Sequence, residues 1–265
     1  MLNMVRADLF KMRKSPAMKI LFAITAICSA GMLTIAYLIA QGSISAESAG
    51  VGFLFSDVNV ISILGAVIAG IFICGDYDNK TIHEAITSGS RRSSIITGKA
   101  LAFFCGIIFI LLPYIVLTFI ALATGSGFNM GAVSIGFLNI LSAESGAAFT
   151  DSTLLKLLAP AFALVMTYAA QLSICVPLAF LIKKPVAVVG IFYGISISGG
   201  RLTALQNSYP VLKNIVSWTP FGADYMFLTS ASETGVIIKA ILVSIIFIAV
   251  TVGITYGIFK KSEIR

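Results

Sequence analysis

IITGKALAFFCGIIFILLPYIVLTFIALA, residues 95–123, carries one charged side chain, Lys99, near its start. A bilayer core about 30 Å thick is crossed by about 20 apolar residues in a helix rising about 1.5 Å per residue, so this stretch is long enough to span it. Working outward, five further stretches read the same way: Ala17–Ala40, Phe53–Cys74, Leu154–Ile182, Pro185–Gly200 and Gly235–Phe259. The Pro185–Gly200 stretch is short and loosened by Gly190, Gly194, Gly199 and Gly200. Strands of a membrane barrel alternate apolar and polar residues in segments of about ten, whereas these runs are continuous. The expected fold class is therefore an all-α integral membrane domain of six transmembrane helices covering residues 1–265.

Composition agrees. The chain is 58% hydrophobic and 11% charged, with a mean hydropathy of +1.01. Soluble domains carry roughly 25% charged residues, so a water-soluble fold of this length would lack polar surface. The net charge of +7 is distributed like a topology signal. With six crossings and a cytosolic N-terminus, only Lys156, Arg201, Lys213 and Lys239 of the 18 basic residues fall outside. That is the positive-inside pattern, and it argues against a nucleic-acid partner. Without the fifth crossing, Lys260 and Lys261 would lie on the wrong side. The expectation is a bacterial cytoplasmic membrane location, with both ends in the cytosol and basic groups meeting anionic lipid.

Two segments outside the spans have character. Before the first, Leu2, Val5, Leu9 and Met12 recur at helical spacing among Arg6, Lys11, Arg13 and Lys14. This predicts an amphipathic elbow helix in the membrane interface, the alternative being a solvated basic leader. Ser15-Pro16 then reads as a cap and first helical residue. The loop GDYDNKTIHEAITSGSRRSS, residues 75–94, predicts a short cytosolic helix near Thr81–Thr87, capped by Asn79 or Thr81 and stopped at Gly89. Ile82 and Ile86 share one of its faces, suggesting a surface offered to a partner, or else one resting on headgroups. Pro113, Pro160 and Pro177 mark expected kinks.

Catalytic chemistry is hard to build. A P-loop needs a glycine-rich turn with lysine and Ser or Thr; Gly98-Lys99-Ala100 lacks the hydroxyl, and Ser93 stands where the first glycine belongs. His83 is the single histidine, so neither a His-ligated metal nor a Ser–His pair forms. Asp57 and Asp76 sit near opposite ends of one span, too far apart for a dyad. Cys28, Cys74, Cys105 and Cys175 read as small buried apolar residues. No catalytic group, bound cofactor or metal is expected. Possible lining of a substrate path comes from the deepest polar side chains, Tyr168, Gln171 and Asn59. Gln171 could equally bond a neighbouring helix.

The arrangement resembles the permease subunits of type-2 ABC exporters, in the small six-span branch linked to peptide antibiotics and toxins. The resemblance rests on the basic start MLNMVRADLFKMRKSP, the insert CGDYDNKTIHEAITSGSRRSSIITGKAL, WTPFG before the last span and the terminal FKKSEIR. It implies a coupling helix at Thr81–Ser88 that docks on a separate ATPase, preceded by Asp76 or Asp78 and followed by Ser90-Arg91. The coupling residues would be Thr81, Ile82, His83, Glu84, Ile86, Arg91 and Arg92. It further implies two ATPase subunits holding ATP and Mg, a second permease copy or close paralogue, and export of amphipathic peptides or lipophilic antibiotics. An ion-coupled carrier or channel for a small hydrophobic solute stands as the alternative.

Overall fold

The computed structural model describes residues 2–146, 151–205, 209 and 214–261; the expected terminal SEIR lies outside them. Among the described residues the chain is helical, without strands. Five helices are long and apolar enough to cross a membrane: Pro16–Ala40, Ala49–Asp78, Arg92–Ala123, Leu154–Ile182 and Thr234–Lys260. These make the chain a multi-pass helical membrane protein. The Pro185–Gly200 stretch also forms an unbroken helix, Pro185–Leu205.

Helix α1 (Leu2–Lys14) and α2 (Pro16–Ala40) meet at Ser15, whose backbone is extended at φ −66°, ψ 129°, with proline following. Proline fixes φ and needs no N–H there. The Ser15 hydroxyl makes no capping bond, so proline alone accounts for the break. The apolar side of α1 is not left to lipid as expected. Met4 and Val5 lie over Gly98, and the Met12 methyl fills the space a Gly106 side chain would need. Thus α1 runs alongside the start of α7 (Arg92–Ala123), while Phe10 is left exposed.

The second crossing is assembled from pieces: α3 (Ala49–Leu54), α4 (Asp57–Ala69), a π-helical turn at Gly70–Cys74 and α5 (Gly75–Asp78). Ser56 is extended, which separates α3 from α4. The widened turn lies where Pro185 rides on Gly70; an added Cβ would come 3.0 Å from the proline ring. Helix α6 (Thr81–Thr87) follows, then α7, with Pro113 buried inside it. Helix α8 (Phe137–Glu144) lies between α7 and α9 (Asp151–Leu172). The α9 line breaks before α10 (Cys175–Ile182). Pro177 has no N–H for the Ser173 carbonyl four residues back, so the ladder fails at that point. Helices α11 (Pro185–Leu205) and α12 (Thr234–Lys261) complete the bundle.

Buried side chains from α2, α4, α7, α9 and α10 form one continuous apolar core that includes Met32, Ile61, Phe103, Tyr114 and Phe180. Large apolar residues elsewhere face outward, among them Ile27, Val116, Phe162 and Val250. In water such a surface would drive aggregation; in a bilayer it is the solvated face.

Candidate functional site

The insert between the second crossing and α7 is built on a buried carboxylate. Asp76 is 1% exposed and pairs with Lys11 of α1 and Lys99 of α7. Lys99 also reaches Asp8, 2.5 Å away. Two carboxylates and two ammonium groups thus balance, and Asp76 and Lys99 lie where either alone would be costly. Thr81 donates its hydroxyl to the Asp76 carbonyl at 3.1 Å. The cap position of α6 is Lys80, left-handed at φ 57°, rather than Asn79 or Thr81. Gly89 ends the helix as expected, at φ 85°, with the Ser90 N–H donating to the Ala85 carbonyl at 3.0 Å.

The expected docking face is altered by burial. Ile82 is 1% exposed and belongs to the chain's own core, with Ile86 half-buried against it. The isoleucine pair therefore anchors α6 to the bundle. Exposed instead are Thr81, Glu84, Thr87, Ser88 and Arg91, with His83 half-buried. Arg92, another of the implied coupling residues, is engaged within the chain. Its Nη1 donates to the carbonyls of Phe259 (2.9 Å) and Lys260 (3.0 Å), and its guanidinium stands 5.5 Å from the Phe259 ring. A cation on the last carbonyls of a helix satisfies both unpaired acceptors and the macrodipole, so Arg92 ties α7 to α12.

Toward the other end of the bundle is a cavity of about 340 Å³ among α4, α9, α11 and residues 221–227. Asn59 and Gln171 both line it, with Tyr193, Ser196 and Arg201. Gln171 donates to the Pro220 carbonyl at 2.8 Å, and Asn59 donates to that of Phe53 at 2.9 Å. Gln171 is thus both a lining residue and an internal tie that draws the WTPFG loop into the protein. The loop is pinned again where the Tyr225 hydroxyl donates to the Ser217 carbonyl. Burial, with Asp224 adding, pushes the Tyr225 phenol up to about 12, so it remains a donor in neutral solution.

Tyr168 does not join that cavity. It is 1% exposed and donates to Asp57 Oδ2 at 2.5 Å; the same oxygen accepts the Phe137 N–H at 2.8 Å. Asp57 is completely buried. In the sequence it is weighed only as half of a dyad with Asp76, at the opposite end of the span, and not as a site by itself. The available signal was a carboxylate four residues into the apolar run that begins at Phe53.

No protein-family model, curated protein or solved structure matches this chain.

Proposed function

We propose that this chain is the membrane-spanning permease subunit of an ATP-driven exporter in a bacterial cytoplasmic membrane, with six crossings and cytosolic ends. The observation that carries this reading is the anchoring of α6. A short helix stands at one end of the bundle, locked to it through Ile82 and through Asp76 with Lys11 and Lys99. Its polar face stays open. A force applied to that face is transmitted to α1, the second crossing and α7 together, which is what coupling to a separate motor requires. The docking contact is then polar, through Glu84, Thr87, Ser88 and Arg91, where charge sets register and rate of encounter.

The sixth crossing is supported by the path of α11. Pro185 lies on Gly70, the Ser196 hydroxyl donates to that of Ser62 at 3.0 Å, and Arg201 lines the same cavity as Asn59. Helix α11 therefore runs antiparallel along α4, itself within a crossing. Cargo of amphipathic peptides or lipophilic antibiotics suits a mostly apolar cavity with two amides. The complex would contain two ATPase subunits holding ATP and Mg, and a second permease copy or close paralogue.

The test is reconstitution with a soluble P-loop ATPase encoded beside the gene. The isolated chain should turn over no ATP, and the pair should copurify and hydrolyse it. Stoichiometric turnover by the chain alone, or proton- or sodium-driven transport in proteoliposomes without an ATPase, rejects the proposal.

A further inference from the structure

Asp57 presents an imbalance that the exporter reading does not use. Its Oδ2 accepts two hydrogen bonds, from Phe137 N–H and from Tyr168 O–H. Its Oδ1 is buried and has no hydrogen-bond partner. Among the described residues no lysine, arginine or histidine pairs with it. The side chains packed around it are not charged, and the backbone amides of Asp57 and Val58, at the positive start of α4, also face the carboxylate. Tyr168 comes from α9; Tyr114 of α7 lies close by but donates to the Phe55 carbonyl at 2.7 Å. Helix α8 offers a backbone amide, and its one acid, Glu144, is engaged at the far end with the Ser230 N–H at 2.9 Å. The hydroxyl oxygens of Ser56 and Thr118 are likewise buried without partners.

A buried carboxylate answers to two opposing demands. Donors on one oxygen favour the ionised form, while desolvation of the other favours the neutral acid. Inside a membrane bundle such a group with no counter-cation is a functional candidate by default. What hangs on it here is α8, whose first amide it caps and whose Phe137, Leu138, Ile140 and Leu141 are fully packed into the core. An ionised Asp57 holds that amide by a charge-assisted bond. A neutral one holds it more weakly.

We propose that Asp57 is a proton-binding site, and that proton uptake at Oδ1 loosens α8 from this end of the bundle. One proton passes from water to the carboxylate, the negative charge is lost, and no covalent bond between heavy atoms changes. The proposal holds for an ATP-driven exporter or a carrier alike, and its test is separate from that of the ATPase partner.

The full chain in lipid nanodiscs is followed by infrared difference spectroscopy between acidic and alkaline buffers. The expected result is the carbonyl stretch of a neutral carboxylic acid at low pH, absent from Asp57→Asn. In Tyr168→Phe, which removes one donor to the charged form, the band should persist to higher pH. Opening is read by thiol labelling of Leu138→Cys in a background without the native cysteines, normalised to an exposed Ser45→Cys control. Labelling should be several-fold faster in acid, and independent of pH once Asp57→Asn is added. Ser142→Cys, half-buried on the same helix, reports the same motion if Leu138→Cys does not fold. No Asp57-dependent band while the protein stays folded, or a pH-independent labelling ratio, overturns the proposal and leaves Asp57 as a structural cap. Labelling that follows sodium at constant pH overturns the proton assignment.

Discussion

Gly136 and Asp57 are fitted to each other without room for a side chain between them. Gly136 turns the backbone at φ 70°, ψ −135° directly before α8. A Cβ added there would overlap Asp57 Oδ2 and come 2.5 Å from the Tyr168 hydroxyl. The positive φ and the close approach demand glycine independently.

Gly136→Ala should therefore be among the more damaging methyl additions in the protein. The strained backbone alone costs about 1–3 kcal/mol, and displacing Tyr168 or Asp57 adds to it. A lowered thermal unfolding midpoint in detergent measures the effect. Gly125→Ala shares the positive φ but meets nothing within 4 Å among the described residues, so it should cost less. Equal midpoints for the two variants would contradict the fit described here.

Removing one member of the buried ion cluster should hurt according to its burial. Lys99→Met leaves Asp76 with Lys11 alone and takes from Asp8 the cation it pairs with, and breaking a buried pair costs about 3–5 kcal/mol. Lys11→Met should cost less, because the Lys11 side chain is 44% exposed and that of Lys99 10%. Denaturation of both variants, compared at equal salt, tests this order.

The two faces of α6 should fail differently. Ile82→Asp places a charge in the core and should lower yield and stability before any partner is added. Glu84→Lys with Arg91→Glu should leave insertion and thermal stability unchanged but abolish copurification with the ATPase. Loss of stability in the surface pair, or retained assembly, would remove α6 as the coupling element.

Single cysteines in a background without native cysteines should report the crossings. At Ser45 and Ser230 they should label from outside intact cells with an impermeant reagent; at Ser88 and Lys260 they should label only after permeabilisation. Outside labelling at Lys260 would mean that α11 does not cross.

Helix type and the five strongest crossings were legible in the chain, because an apolar run of bilayer length in a helix depends on local composition and nothing else. The Ser15-Pro16 break and the Gly89 stop were legible for the same reason, since each is decided by the conformational limits of one or two residues. Burial of individual faces was not. Helical spacing put Ile82 and Ile86 on one side of α6 but could not say whether that side met a partner or the bundle; packing turned it inward. Depth within a span likewise grouped Tyr168 with Gln171 and Asn59, although the fold gave Tyr168 to Asp57 and the two amides to a cavity. The cluster of Asp8, Lys11, Asp76 and Lys99 joins three segments distant in sequence, and Arg92 reaches across to the carbonyls of Phe259 and Lys260. A charged side chain in apolar surroundings must find a partner, but which partner it finds depends on which helices lie side by side, and only the tertiary structure decides that.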